Sequence, residues 1–235
     1  MLGRPAGDGV AGAQRLRGGG VLARIRISVP DSPGSLGRVT TAIGAAGGDI
    51  AGVDVLESET GRALDDVFVH VRDPDHLRAV NAAVGAEAGV SVVGVQQGVP
   101  PVTGHTDLEL CRQVLAQPDR AVRTLVDGAP RALGADWAAV LTFDPTGAQE
   151  DVLAVSPDAP AASAIRIAAP LRLGAVRLAV PGTDRHYSGS ALVPLGDGPL
   201  GLLLVRADGV DFHRSELWRL SQVGSVLGAV LAVGV

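Results

Sequence analysis

A strict alternation gives way to a helical stripe at a single proline–glycine corner, and that order limits what the first third of the chain can become. Ala23, Ile25, Ile27 and Val29 are apolar, with polar Arg24, Arg26 and Ser28 between them. A period of two predicts a half-buried strand. Leu36, Val39 and Ile43 then fall at i, i+3 and i+7, the apolar stripe of a helix. Between them lies Val29-Pro30-Asp31-Ser32-Pro33-Gly34-Ser35-Leu36. Asp31 or Ser32 is expected to cap the helix, with Pro33 at or near its first position, where a missing N–H costs nothing. Gly34 leaves the first turn without a side chain, so another molecule can approach the backbone. The free N–H groups of such a turn, together with the helix dipole, favour a bound carboxylate. Gly47-Gly48 ends the helix, and Asp49 opens the next strand.

The pattern continues through four more elements. Residues 49–57 read as a second strand on Ile50, Val53 and Val55, and 59–62 as a hairpin turn. Residues 64–71 read as a third strand, with Val67, Val69 and Val71 on one face and Phe68 and His70 on the other. Asp73-Pro74 starts a second helix with the stripe Leu77, Val80 and Val84, and 90–95 closes as a fourth strand. The order βαββαβ predicts a ferredoxin-like unit, an antiparallel sheet with two helices on one face. Its other face and its edges would be open, and Phe68 would be poorly covered in a single copy. Pairing with a second copy is the expected remedy.

Asp31-x-Pro33-Gly34-x-Leu36, followed by Gly48-Asp49-Ile50 with fifteen residues from Gly34 to Asp49, resembles the signature of the ACT domain. That family comprises small regulatory modules that bind amino acids or other metabolites. It usually carries Asn where Asp49 stands. The resemblance covers residues 23–95. It implies a homodimer with effector held between the first loop of one copy and the second strand of the other. Carried over by position, the ligand-binding residues are Val29, Asp31, Gly34, Ser35 and Leu36 from the loop, and Asp49, Ile50 and Ala51 from the strand. The Ser35 and Leu36 amides would hold the ligand carboxylate, and Asp31 or Asp49 its α-ammonium. Asp31 also serves as a helix cap without any ligand, and Asp49 as an ordinary strand start. Two carboxylates near one site disfavour an acidic ligand, so a neutral or basic amino acid is expected.

Composition narrows the classes. Hydrophobic residues make up 46% of the 235, enough for packed cores, while aromatics are 3%, so those cores rest on Val, Leu, Ala and Ile. All 20 basic residues are arginine, the net charge is -5 and no basic cluster is evident, which gives nucleic-acid binding no support. The single Cys111 excludes an intrachain disulfide and suits a reducing, cytoplasmic setting. Residues 1–21, rich in Gly, Ala and Arg, read as a flexible tail rather than a signal peptide. Residues 223–235 are too short and glycine-broken to span a bilayer, so no membrane partner is expected.

The ferredoxin-like unit is assigned to residues 22–96, and Pro100-Pro101 with its flanking glycines marks a linker over 97–106. From 107 the pattern changes. A helix over 107–116 would bury Leu108, Cys111 and Leu115, and a second would run from Pro118 to Leu133. Strands follow at 137–143 and 152–155, then a poorly legible stretch over 156–190 that short pieces around a cavity would fit. Residues 191–195 and 200–206 pair across Gly196-Asp197-Gly198. Asp211 or Ser215 would cap a last helix to about Leu231, with Leu217, Leu220, Val223 or Gly224, and Leu227 inward. The run Ala191-Leu-Val-Pro194-Leu195, Gly201-Leu-Leu-Leu-Val205, Phe212 and a long helix resembles the end of a GAF domain, and Ala129…Leu133-Gly134-Ala135-Asp136 its start. That likeness covers residues 107–232 and implies a sensory or dimerising module with a central antiparallel sheet and flanking N- and C-terminal helices. The second unit is therefore assigned to residues 107–235. The Asn-Lys-x-x-x-Phe-Asp-Glu motif of cyclic-nucleotide binders is missing, and Cys111 is not placed like a bilin-attachment cysteine.

Catalytic patterns are weak. His70, His76, His105, His186 and His213 form no metal pair at helical spacing, and each is expected to be a lone exposed histidine. His186-Tyr187-Ser188 is expected to lie in a loop. Gly196-x-Gly198-x-x-Gly201 lies between antiparallel strands, so it is no dinucleotide fingerprint. Asp65 and Asp66 point to opposite sheet faces and cannot act as an acid/base couple. No catalytic residue, metal ligand or cofactor is assigned. The sequence predicts an α+β chain of two regulatory units that binds a small molecule, works as a homodimer and signals to a downstream protein whose identity it does not encode. The competing expectation is an interaction or dimerisation scaffold with empty pockets.

Overall fold

The computed structural model describes residues 20–59, 61–98, 106–176, 178–179, 189–206 and 210–233. His105 and His186-Tyr187-Ser188, and most of the expected tail and linker, lie outside the described residues. The N-terminal part is β1 (Val21–Pro30), α1 (Ser35–Ala45), β2 (Asp49–Glu59), β3 (Arg62–Val71), α2 (Pro74–Gly85) and β4 (Ser91–Gln97). Its four strands pair antiparallel in the order β2-β3-β1-β4. This is the ferredoxin-like βαββαβ arrangement. Alternation places Ala23, Ile25, Ile27 and Val29 on one face with Val67, Val69 and Val71, and Val39, Ile43, Leu77, Val80 and Val84 of the helices close over them. Asp73 caps α2 by accepting from the His76 N–H at 2.7 Å. His76, expected to be exposed, is buried: its Nδ1 accepts from the Arg72 N–H, and its Nε2 bonds the Ala46 carbonyl.

The C-terminal part begins with α3 (Thr106–Ala116), a 3-10 turn at Pro118–Arg120 and α4 (Ala121–Leu133). The single helix expected from Pro118 is thus two pieces. Strands β5 (Trp137–Phe143), β6 (Gln149–Val155), β7 (Arg166–Ile167), β8 (Gly174–Ala175), β9 (Leu178–Ala179), β10 (Gly189–Pro194) and β11 (Leu200–Arg206) follow, then α5 (Arg214–Val233). Five of them form a sheet ordered β6-β5-β11-β10-β8, and β7 pairs with β9. The helices cover one face of the larger sheet, with Leu125, Val140, Val193, Leu204, Leu220 and Leu227 among the core. A second apolar layer on Trp137, Leu141, Phe143, Ile165, Leu192 and Leu203 fills the other face. On α5, Gly228 lets the helix lie against the β10–β11 turn: a Cβ there would stand 2.2 Å from the Gly196 nitrogen. The Gly196 N–H donates across that contact to the Gly224 carbonyl at 3.2 Å.

Two expectations fail in ways that matter for function. On α3 the buried face is Leu110, Cys111 and Val114, while Leu108 and Leu115 stand 60% and 58% exposed. The outer face of the N-terminal sheet is not open: Phe68 is 2% exposed and lines a cavity of about 50 Å³ with Leu133 and Leu220 of the C-terminal part. The chain covers its own sheet, so shielding Phe68 does not require a second copy.

Candidate functional site

The β1–α1 corner follows directly from its sequence. Val29 is the last buried residue of the strand, at 2% exposure. The Asp31 N–H donates to the Gly61 carbonyl at 2.9 Å, and the Asp31 carboxylate accepts from Ser58 Oγ, so Asp31 is tied to the β2–β3 hairpin rather than to α1. The helix therefore starts later than expected. Gly34 occupies the cap position at φ 85, with no side-chain cap bond, and Ser35 is the first helical residue. Pro33 precedes the cap rather than following it. The Ser35 N–H, expected to hold a carboxylate, donates to the Ser32 carbonyl at 3.1 Å. The Arg38 N–H closes the first helical bond on Gly34 at 3.0 Å. The amides of Leu36 and Gly37 lie in the first turn, where the helix itself offers no acceptor.

The corner is open. A Cβ added at Gly34 would meet nothing within 4 Å. Arg38, exposed and in the same turn, donates from Nη2 to Ser35 Oγ at 3.3 Å, and Ser35 Oγ lies 2.9 Å from Ser32 Oγ. Helix dipole and guanidinium both favour an anion at this spot. Asp65 lies on the helix face of β3, three residues from Arg62, the partner of Pro30. This carboxylate of β3 is 2% exposed, opposite Ile27 of β1 and Val55 of β2, and its Oδ1 has no hydrogen-bond partner. Burial, then the nearby Asp66 and Asp31 charges, push the Asp65 carboxyl up. The sequence reading missed both Arg38 and Asp65. The available signal was an aspartate in phase with Val67 and Val69, and a cation three residues after Ser35.

Asp49, Ile50 and Ala51 lie elsewhere. Asp49 pairs with His70, whereas Pro30 pairs with Arg62, eight residues along β3. That is about 26 Å at ~3.3 Å per residue. One chain brings together Val29, Asp31, Gly34, Ser35 and Leu36 and leaves the second-strand group at the far end of the sheet.

A second constellation joins the two parts. Arg24 and Arg26, read as the polar side of a half-exposed strand, are each 3% exposed. Arg26 grips Asp66 through Nε and Nη2, both at 2.7 Å, and Nη2 also donates to Glu216 Oε2 at 2.8 Å. Glu216 accepts as well from Arg206 Nη2 at 2.6 Å, and from the His213 N–H at 2.9 Å, which caps α5 in place of Asp211 or Ser215. Arg206 lies 3.7 Å from the Phe212 ring centroid. Arg24 bonds Gln96, and Glu57 accepts from His213 and Arg214. Burial alone would raise the Glu216 carboxyl, but Arg206, Arg26 and Arg24 outweigh it and hold it well below the usual range. Burial, then Arg206, push Arg24 down to about 10.

Residues 23–85 match the family model described as the ACT domain. The match runs from β1 to the end of α2. NAD-dependent malic enzyme 1 of Bacillus subtilis (strain 168) is 38% identical over 66 residues, which are 28% of this chain and 15% of that protein. Among solved structures, the ACT domain from GTP pyrophosphokinase of Chlorobium tepidum is 22% identical, covering 34% of this chain and 99% of that one, with a TM-score of 0.29. The GAF domain from Acinetobacter phosphoenolpyruvate-protein phosphotransferase is 13% identical over 56% of this chain and 95% of that one, with a TM-score of 0.41. A putative glycine cleavage system transcriptional repressor is 12% identical over 86% of this chain and 87% of that one, with a TM-score of 0.30. Among the described residues no helix is long and apolar enough to cross a membrane, and no group of His, Cys, Asp or Glu is arranged to hold a metal ion.

Proposed function

We propose that the chain is a non-enzymatic regulator that binds a neutral or basic amino acid at the β1–α1 corner, works as a homodimer, and passes the binding event to its C-terminal part and so to a downstream protein. The observation that carries this reading is the open corner at Gly34, where an added Cβ would meet nothing within 4 Å and the helix offers the Leu36 and Gly37 amides no acceptor. The ACT match over residues 23–85 supports a regulatory role for this part of the chain. Asp49, Ile50 and Ala51 would come from a second copy, since one chain holds them about 26 Å away. Ligand bound across two copies would favour one relative geometry over another, a population shift set by its differential affinity. Within a chain, the Glu216 cluster couples the sheet to α5.

Thermal-shift and calorimetric screening against the common amino acids tests the reading. Stabilisation by a neutral or basic amino acid is expected, and Gly34→Val should abolish it by filling the corner. Tighter binding of glutamate than of any neutral amino acid would refute the ligand class. The rival reading, an interaction scaffold, draws on Trp218, 68% exposed, and Val226, 48% exposed, on α5. Described residues of α5 beyond Arg219 carry no charge, so a second copy is its natural occupant. Dimers with no response to any amino acid favour the scaffold.

A further inference from the structure

We propose that Asp65 is the residue that receives the ligand's ammonium group, so that the corner recognises an α-amino acid by both of its charges. This rests on the reading of the corner as an amino-acid site and adds to it a residue that the ACT signature does not contain. The carboxylate end would lie on the Leu36 and Gly37 amides beside Arg38, and the ammonium end on Asp65.

Three observations carry the assignment. Asp65 stands in a line of buried valines: Val67, Val69 and Val71 share its sheet face, and β1 presents Ile27 to it. Those neighbours offer no side-chain donor, and Asp65 Oδ1 is buried without a hydrogen-bond partner. Buried polar atoms in folded proteins are nearly always paired, so an orphaned carboxylate oxygen needs a reason. A cation supplied from outside is one. Arg62 and Arg38 are already engaged: Arg62 donates to Ser28 and Gly89, and Arg38 to Ser35. Asp66, the next residue along, shows the opposite treatment, held by Arg26 through two bonds of 2.7 Å.

The position suits the chemistry. Asp65 pairs with Ile27, three residues before the Pro30 at which β1 ends and the corner begins. Its β2 neighbour Val55 is 64% exposed, so Asp65 lies under the rim of the sheet rather than deep in the core. Gly34 is open, with nothing within 4 Å of a Cβ placed there. Asp31, the sequence-based candidate for the ammonium, already accepts from Ser58 and has less to gain from a ligand. Two negative charges so close together also repel an acidic side chain, which agrees with the neutral or basic class.

Calorimetry on the full chain decides the matter. The titrants are the twenty common amino acids and, for each that binds, the same acid lacking its amine, beginning with propionate for alanine. Binding of a neutral or basic amino acid is expected, with at least tenfold loss when the amine is removed and at least tenfold loss in Asp65→Asn. Asp31→Asn should weaken binding less than Asp65→Asn. Asp65→Asn that binds the amino acid as tightly as the parent overturns the role of Asp65 and leaves the corner standing as a site. Failure of the parent chain to bind any of the twenty overturns both. Should Asp65→Asn misfold, carbon-13 NMR of the parent's aspartate carboxyls reads the same question. The Asp65 titration should move to lower pH on adding the amino acid, and an unmoved titration overturns the assignment.

Discussion

Asp65 and Asp66 are consecutive on β3, yet the two faces of one sheet treat them in opposite ways. On the outer face Asp66 sits among guanidiniums, and Arg24, Arg26 and Arg206 are balanced by Asp66 and Glu216 under the cover of α5. On the helix face Asp65 is buried among aliphatic side chains with an oxygen unpaired. Both faces exclude water, but one does so with ion pairs, Arg24 Nε being left without a partner, and the other with packing that has no use for a charge. Paired buried ions are costly to break and specify geometry; an unpaired one waits for a partner or accepts a proton. The outer face is therefore the structural joint of the molecule, and the end of the helix face near Asp65 is its unfinished part.

The largest effect should come from breaking that joint. Glu216→Gln takes from Arg206 its carboxylate partner and from Arg24 and Arg26 one of two, and removal of one partner from a buried ion pair costs about 3–5 kcal/mol. Urea unfolding should show this loss, with separate transitions for the two parts if the cluster is what couples them. The acid limb gives a second readout. Because the native Glu216 carboxyl lies well below its ordinary value of 4.5, its contribution is present above that value and lost as pH falls toward the depressed one. The parent should lose stability on acidification below about pH 4.5, and Glu216→Gln should lose less. A parent and variant with the same acid slope would deny the cluster its role.

The helix face is tested by Ile27→Ala, one residue from Arg26 and fully buried on the other side. An aliphatic truncation of this kind costs about 2–5 kcal/mol, depending on how far the site collapses. Its effect should be insensitive to salt and pH, whereas that of Glu216→Gln should follow pH. A double-mutant cycle on Arg26 and Glu216 then isolates the joint itself. Coupling of about 1–3 kcal/mol is expected for residues in one network, and additivity would mean the pair is incidental.

The same contrast explains what the sequence could and could not disclose. The helix face was legible because period two in Ala23–Val29 and helical spacing in Val39, Ile43, Leu77, Val80 and Val84 both report a nearby apolar surface. The outer face was not, since Arg24 and Arg26 look the same whether water or a second layer covers them. The residue that decides it, Glu216, is 190 positions from Arg26. On α3, two apolar sets share helical spacing, and the inward one is chosen by α4. Gly128 there leaves room for Leu110, to within 2.7 Å of a Cβ that it lacks. At the corner, the Pro-Gly motif disclosed the open turn, but the local pull of Ser58 on Asp31 and of Ser32 on the Ser35 amide moved the helix start and with it the free donors. Asp65 and Asp66 read as carboxylates on opposite sheet faces, which excludes an acid/base couple but does not disclose that Asp65 Oδ1 is left unpaired.

The smallest effect is the most discriminating. Asp65→Asn keeps the shape of the side chain and removes a charge that the apo chain does not pair, so it should raise stability near neutral pH by about 1 kcal/mol, at the low end of what an unsatisfied buried group costs. The sign follows from the shift: the native carboxyl titrates above its ordinary value of 3.8, so between that value and the raised one the folded chain holds more protons than the unfolded one. In that window the parent loses stability as pH rises, opposite in direction to the Glu216 contribution, and Asp65→Asn should lack the decline. An amino acid that pairs the charge should remove the decline in the parent as well, making parent plus ligand resemble the variant in its pH profile. A variant less stable than the parent at neutral pH would mean that Asp65 already has its partner in the apo chain, and the two faces of the sheet would then differ less than their side chains suggest.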